Sequence, residues 1–116
     1  MLAYRFPYDR LDDLLANMAP VIRHAPDTFI GCDASPCAFE MYWRLRGMQD
    51  ALLDMALAPN LAEAMLSRCA DFAVALAGRA CAGLPLNWLW TGNDVASQAG
   101  VTHVEIVDRA GRVAQG

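Results

Sequence analysis

Lysine is absent from these 116 residues: all nine basic side chains are Arg, set against thirteen acids for a net charge of −4. The arginines nowhere gather into a cluster, so a nucleic-acid partner has no electrostatic footprint to follow. Long hydrophobic runs are missing as well. None approaches the length of about 20 residues that a membrane span requires, and Arg5, Asp9 and Arg10 interrupt the N-terminus where a signal peptide would need an apolar core. A cytoplasmic chain without a membrane partner is the expectation. Nor is there a C-x-x-C pair. Four residues separate Cys32 from Cys37, Cys69 and Cys81 fall within a helical pattern, and His24 and His103 lie far from any Cys. Closed zinc sites bring tightly spaced ligand pairs, so no metal is expected and the cysteines read as buried free thiols.

What is abundant is apolar. Hydrophobic residues make up 56% of the chain, more than an ordinary soluble domain carries, and the length suits one small domain. The opening loop Arg5–Tyr8 leads to Asp9, placed to cap a helix, with Asp12 and Asp13 in the first turn where negative charge suits the dipole. Leu11, Leu14, Leu15, Met18 and Ile22 keep helical spacing to about His24, across a potential kink at Pro20. After Pro26 and Asp27, the run Thr28–Cys32 has the β-branched and aromatic character of a strand.

From Ala38 to Ala82 the pattern is helical in three pieces, about 37–46, 48–57 and 59–82, punctuated by Gly47 and Pro59. In the last piece Leu61, Met65, Leu66, Cys69, Phe72, Ala73, Leu76 and Ala80 form a wide apolar stripe. That stripe predicts self-association if nothing in the chain covers it. Gly83 then ends the helix, and Leu86, Trp88, Leu89 and Trp90 form a short apolar run suited to a buried parallel strand. Strand, helices and strand together make a β-α-β crossover with extra helical turns.

Polar residues begin where the second strand should end: Thr91, Asn93, Asp94, Ser97 and Gln98, interleaved with Gly92 and Gly100. Carboxyl ends of parallel strands are where α/β folds bind ligands, which makes this stretch a candidate site. On residue chemistry alone it reads first as a solvated turn whose Asn and Asp bond the local backbone. Asp33 and Ser35 follow the first strand and would lie at the same sheet edge, although Asp33 has the alternative of capping the next helix, with Pro36 in its first turn.

Three blocks carry a resemblance: Phe39–Gly47, Ala51–Asn60 and Gly92–Gly100. In order and spacing they resemble the uroporphyrinogen decarboxylase family, most closely its broad decarboxylase-like branch, over about residues 4–100. The resemblance implies a segment of a (β/α)8 TIM-type barrel that decarboxylates tetrapyrrole or other small anionic substrates without a cofactor. Related members are corrinoid-dependent methyltransferases that use zinc. On this resemblance Asp94 is the catalytic candidate, with Asn93 and Gln98 beside it and Asp33 across the edge as substrate-binding candidates. Asn93 stands where many members carry the first of two acids, and Phe29 where true uroporphyrinogen decarboxylases tend to carry Tyr. The expected fold is therefore α/β and mostly helical, with about two parallel strands. Residues 101–116 depart from the family pattern and read as a β-hairpin turning at Asp108–Gly111, a tail expected from a shifted reading frame or truncated gene. A non-catalytic helical interaction module, binding a partner through the stripe from Leu61 to Ala80, is the other functional class.

Overall fold

Residues 3–92 are described by the computed structural model. Helices dominate. α1 spans Leu11–Arg23, α2 Ala38–Arg46, α3 Met48–Leu57 and α4 Pro59–Gly83, while β1 (Gly31–Asp33) and β2 (Trp88–Trp90) form a two-stranded sheet. The strands pair in parallel, Gly31 opposite Trp88, Cys32 opposite Leu89 and Asp33 opposite Trp90. An α/β arrangement with two parallel strands and a helical crossover is thus the observed architecture.

Local chemistry sets most boundaries. Gly47 lies between α2 and α3 at φ 93°, a backbone region in which an L side chain is strained. Pro59 begins α4 where its missing N–H costs nothing. Pro85 ends that helix, because the residue before a proline is driven out of the α region, and Leu84 is extended at φ −125°, ψ 145°. At the other end of the chain, α1 passes through Pro20 and stops at Arg23. There both the backbone N–H of His24 and its ring Nδ1 approach the Pro20 carbonyl, at 3.3 and 2.6 Å.

Three expectations need correction. Asp9 caps nothing: Pro7 opens a 3-10 turn over Tyr8–Arg10, the Arg10 N–H bonds the Pro7 carbonyl, and α1 starts only at Leu11. The first strand falls at Gly31–Asp33 instead of Thr28–Cys32. Thr28 is still engaged in the turn that follows α1, its N–H bonded to the Ala25 carbonyl, and Phe29 is 70% exposed. The stripe of α4 is covered, because α2 and α3 fold back over it. Tyr42, Ala51, Ala62, Met65 and Cys69 make the core cluster there, joined by half-buried Met41, Trp43, Leu61 and Leu66.

Full burial of Met65 contributes about 1.5–3 kcal/mol, so this cluster accounts for much of what holds the three crossover helices together. The N-terminal segment straps across the same stripe of α4 farther along, at Phe72, and Phe6 also packs against the core cluster. Phe6 and Tyr8 pack on Phe72 with ring centroids 5.3 and 5.1 Å apart, and Arg68 donates to the Tyr4 carbonyl while its guanidinium sits 5.5 Å from the Phe6 ring. Uncovered apolar surface lies elsewhere, on Leu52, Leu53, Met55 and Leu57 of α3 and on Trp88 and Trp90 of β2. Among the described residues no helix is long and apolar enough to cross a membrane.

Candidate functional site

The parallel register carries the two strand ends to one place. Beyond β1 the chain turns sharply through Asp33, Ala34 and Ser35. That turn is held by the Asp33 carboxylate, whose Oδ1 accepts the Ser35 N–H at 2.8 Å. It is fastened to the end of β2 by three further bonds. Ala34 N–H donates to the Trp90 carbonyl at 2.8 Å, Gly92 N–H to Ser35 Oγ at 2.8 Å, and Cys37 N–H to the Gly92 carbonyl at 3.2 Å. The fit at Gly92 is close: a Cβ there would stand 2.7 Å from Cη2 of Trp90 and 3.3 Å from Ser35 Oγ, so a larger residue would have to push the indole aside.

Asp33 is therefore an exposed carboxylate fixed at the carboxyl ends of both strands, beside the point where the polar stretch begins. It does not cap α2, whose N-cap is Cys37 without a side-chain bond, and Pro36 precedes that cap instead of entering the first turn. Asn93, Asp94 and Gln98 lie outside the described residues, as do Ser97 and the hairpin read over 101–113. What the arrangement offers chemically is one oriented acceptor with negative charge, on a rim stiffened by backbone bonds.

A second polar constellation, which the sequence pattern did not single out, joins α2 to α3. Tyr42 is fully buried and its hydroxyl donates to Asp54 Oδ2 at 2.7 Å. Arg46 grips the same carboxylate with Nε at 2.8 Å and Nη2 at 3.2 Å, and its Nη1 is 3.7 Å from Asp50. Burial, then the bond to Asp54, pushes the Tyr42 phenol up to about 12. The hydrogen bonds from Arg46 and then Tyr42 hold Asp54 below the usual carboxylate range. A phenol so raised stays protonated near neutral pH, so the trio acts as a lock between helices and not as acid–base machinery. The only sequence signal was the spacing of Arg46 and Asp54 on either side of Gly47, where a tight turn returns the chain on itself.

At the amino ends of the strands there is an open cleft of about 730 Å³, lined by Ile22, Arg23, Phe29, Ile30, Pro85 and Asn87 among others. Asn87 closes its floor: its Oδ1 accepts the Ile30 N–H at 2.8 Å, while the backbone N–H groups of Asn87 and Trp88 both reach the Ile30 carbonyl. This cleft is at the end of the sheet opposite Asp33. The four cysteines are free, with Cys69 buried, Cys32 and Cys37 half-buried, and Cys81 exposed where burial was expected. Burial raises the Cys69 thiol pKa. Among the described residues no group of three or more His, Cys, Asp or Glu side chains is arranged to hold a metal ion. No family model, curated protein or solved structure matches this chain.

Proposed function

We propose that this chain is a segment of a (β/α)8-type barrel of the uroporphyrinogen decarboxylase-like kind, and that the shared end of β1 and β2 is its substrate edge. The observation that carries the reading is the parallel pairing through a helical crossover, with Asp33 held by Ser35, which Gly92 bonds in turn, at the carboxyl ends of both strands. Two strands are a fraction of a barrel, which typically takes about 250 residues. In support, each strand has one edge unpaired among the described residues, and Trp88 and Trp90 stand uncovered on one sheet face, as inward positions of an unclosed barrel would.

In this reading Asp94 transfers a proton to the substrate or orients its ring, Asn93 and Gln98 bind beside it, and Asp33 accepts a hydrogen bond from across the edge. The uncovered apolar side chains of α3, with Leu57 79% exposed, favour a second reading as a helical interaction module.

The test is titration of the full chain with a carboxylated pyrrole, porphobilinogen, before and after Asp94→Asn and Asp33→Asn. Losing a charge-assisted hydrogen bond costs roughly 1.5–3 kcal/mol, so Asp94→Asn should weaken binding by about tenfold or more without moving the melting temperature. Absence of saturable binding, or equal loss of affinity and stability, would count against the substrate edge.

A further inference from the structure

We propose that the uncovered face of the β1–β2 sheet binds a small organic ammonium ion, through the indoles of Trp88 and Trp90 and the carboxylate of Asp33. The inference needs only this sheet face and goes beyond the decarboxylase-like reading.

Register alone assembles the platform. Exposure alternates along both strands in the same phase, exposed, half-buried, exposed, so Gly31, Asp33, Trp88 and Trp90 share one face while Cys32 and Leu89 share the other. Paired strands lie about 4.8 Å apart and alternate residues about 6.6 Å apart along a strand. The two indoles and the carboxylate therefore rise from one patch no wider than a methylated ammonium group and its substituent.

Both indoles lie over glycines. A Cβ at Gly31 would meet Cε3 of Trp88 at 3.5 Å, and one at Gly92 would collide with the far edge of the Trp90 ring. Each indole thus lies against bare backbone, yet Trp88 is 57% and Trp90 49% exposed. Large aromatic rings left half in water on adjacent positions of one face are an unsatisfied surface.

Charge decides what would satisfy it. Asp33 has one oxygen engaged by the Ser35 N–H, and among the described residues no Arg pairs with it: the ion pairs of Arg44, Arg46 and Arg79 are with Glu40, Asp50, Asp54 and Asp12. The chain as a whole carries −4. A hard divalent cation would find one carboxylate where it needs six or more oxygens. A methylated ammonium is matched on both counts: its charge faces Asp33, and its methyl groups cover the indole faces, the strongest aromatic partners for a cation within about 6 Å.

The probe is choline, with 3,3-dimethylbutan-1-ol as its uncharged isostere, each titrated into the full 116-residue chain while the methyl proton resonance is followed. Ring currents should move the choline signal upfield in a saturable way, and choline should bind about tenfold tighter than the isostere. Asp33→Asn should erase most of that preference, and Trp88→Leu or Trp90→Leu should remove the upfield shift. Trp43→Phe, on α2 and packed against the helical core cluster, should leave both unchanged. Equal binding of the two probes, a shift that survives both Trp substitutions, or no saturable shift at all would overturn the proposal. The isostere comparison requires no substitution, so a variant that fails to fold leaves the test intact. Because Asp33 also belongs to the proposed substrate edge and porphobilinogen carries an aminomethyl ammonium of its own, an amine-free pyrrole bearing acetate and propionate groups separates the readings: its binding without choline binding removes the ammonium site alone, and the reverse removes the substrate edge alone.

Discussion

Replacing Tyr42 with Phe isolates the lock between α2 and α3. The ring is fully buried, and Phe keeps its shape while deleting the hydroxyl that donates to Asp54 at 2.7 Å. A hydrogen bond to a charged acceptor contributes about 1.5–3 kcal/mol. Asp54 keeps both bonds from Arg46 in the variant, so no charge is orphaned and the lower part of that range applies, about 1.5–2 kcal/mol. In a domain of this size 1 kcal/mol moves the melting temperature by roughly 4–8 °C, which puts the expected fall near 10 °C. The alkaline limb gives an independent check. Folding raises the phenol to about 12 from an ordinary value of about 10, so the neutral phenol is the form the fold favours. Its stabilisation is complete below about pH 10 and is lost as pH rises through 12. Thermal melts followed by far-ultraviolet dichroism from pH 7 to pH 11.5 should therefore show a wild-type advantage that is flat to about pH 10 and then shrinks. Tyr4 and Tyr8 are common to both proteins and cancel in the difference. Melting points within about 2 °C of each other at neutral pH would refute the lock, as would a constant difference across the alkaline range.

Other consequences are quicker to check. Met65→Ala empties the centre of the core cluster and should cost about 2–5 kcal/mol in urea unfolding, whereas Val74→Ala, at a side chain 70% exposed, should stay within about 0.5 kcal/mol. Thiol labelling of the native chain at pH 8 should modify Cys81 first and Cys69 last, since Cys69 is both buried and raised in pKa; similar rates at the two sites would place the α4 face wrongly. Self-association should run through α3 and not α4, so a combined Leu53→Glu and Leu57→Glu variant should sediment as a smaller species than wild type. Unchanged sedimentation would clear α3 of that role.

The helical half of the fold was legible because its punctuation is chemical and local. Gly47 and Pro59 each impose a local backbone constraint, and α2, α3 and α4 begin and end within a residue of the expected positions, although Gly83, read as the stop of the last helix, is its final residue and Pro85 is what ends it. The strands were harder. Thr28 and Phe29 have strand-like side chains, but Thr28 N–H is drawn into the turn after α1 and Ile30 N–H is taken by the side chain of Asn87, fifty-seven residues away. Such a partner has no trace in local pattern. Similarly, the α4 stripe was visible while its occupant was not, since only the reversal at Gly47 shows that α2 and α3 lie against it. Asp33 was placed just after a strand expected to end at Cys32; the strand ends one residue later, so Asp33 is its last residue and still stands at the carboxyl edge of the sheet. The Tyr42–Arg46–Asp54 lock went unseen because each member suits a helix on its own, and only burial and distance join them.

Everything said of the strand-end edge and of the tryptophan face depends on one alignment, Asp33 opposite Trp90 in a parallel pair. Cross-strand nuclear Overhauser effects on the isotopically labelled full chain measure it directly. The account predicts parallel-sheet contacts linking Gly31, Cys32 and Asp33 with Trp88, Leu89 and Trp90 in that order, together with slow exchange of the Ala34 and Gly92 amide protons. An antiparallel pattern would send the carboxyl ends of the two strands to opposite edges, and a register moved by one residue would turn Asp33 away from both tryptophans; either contradicts the account.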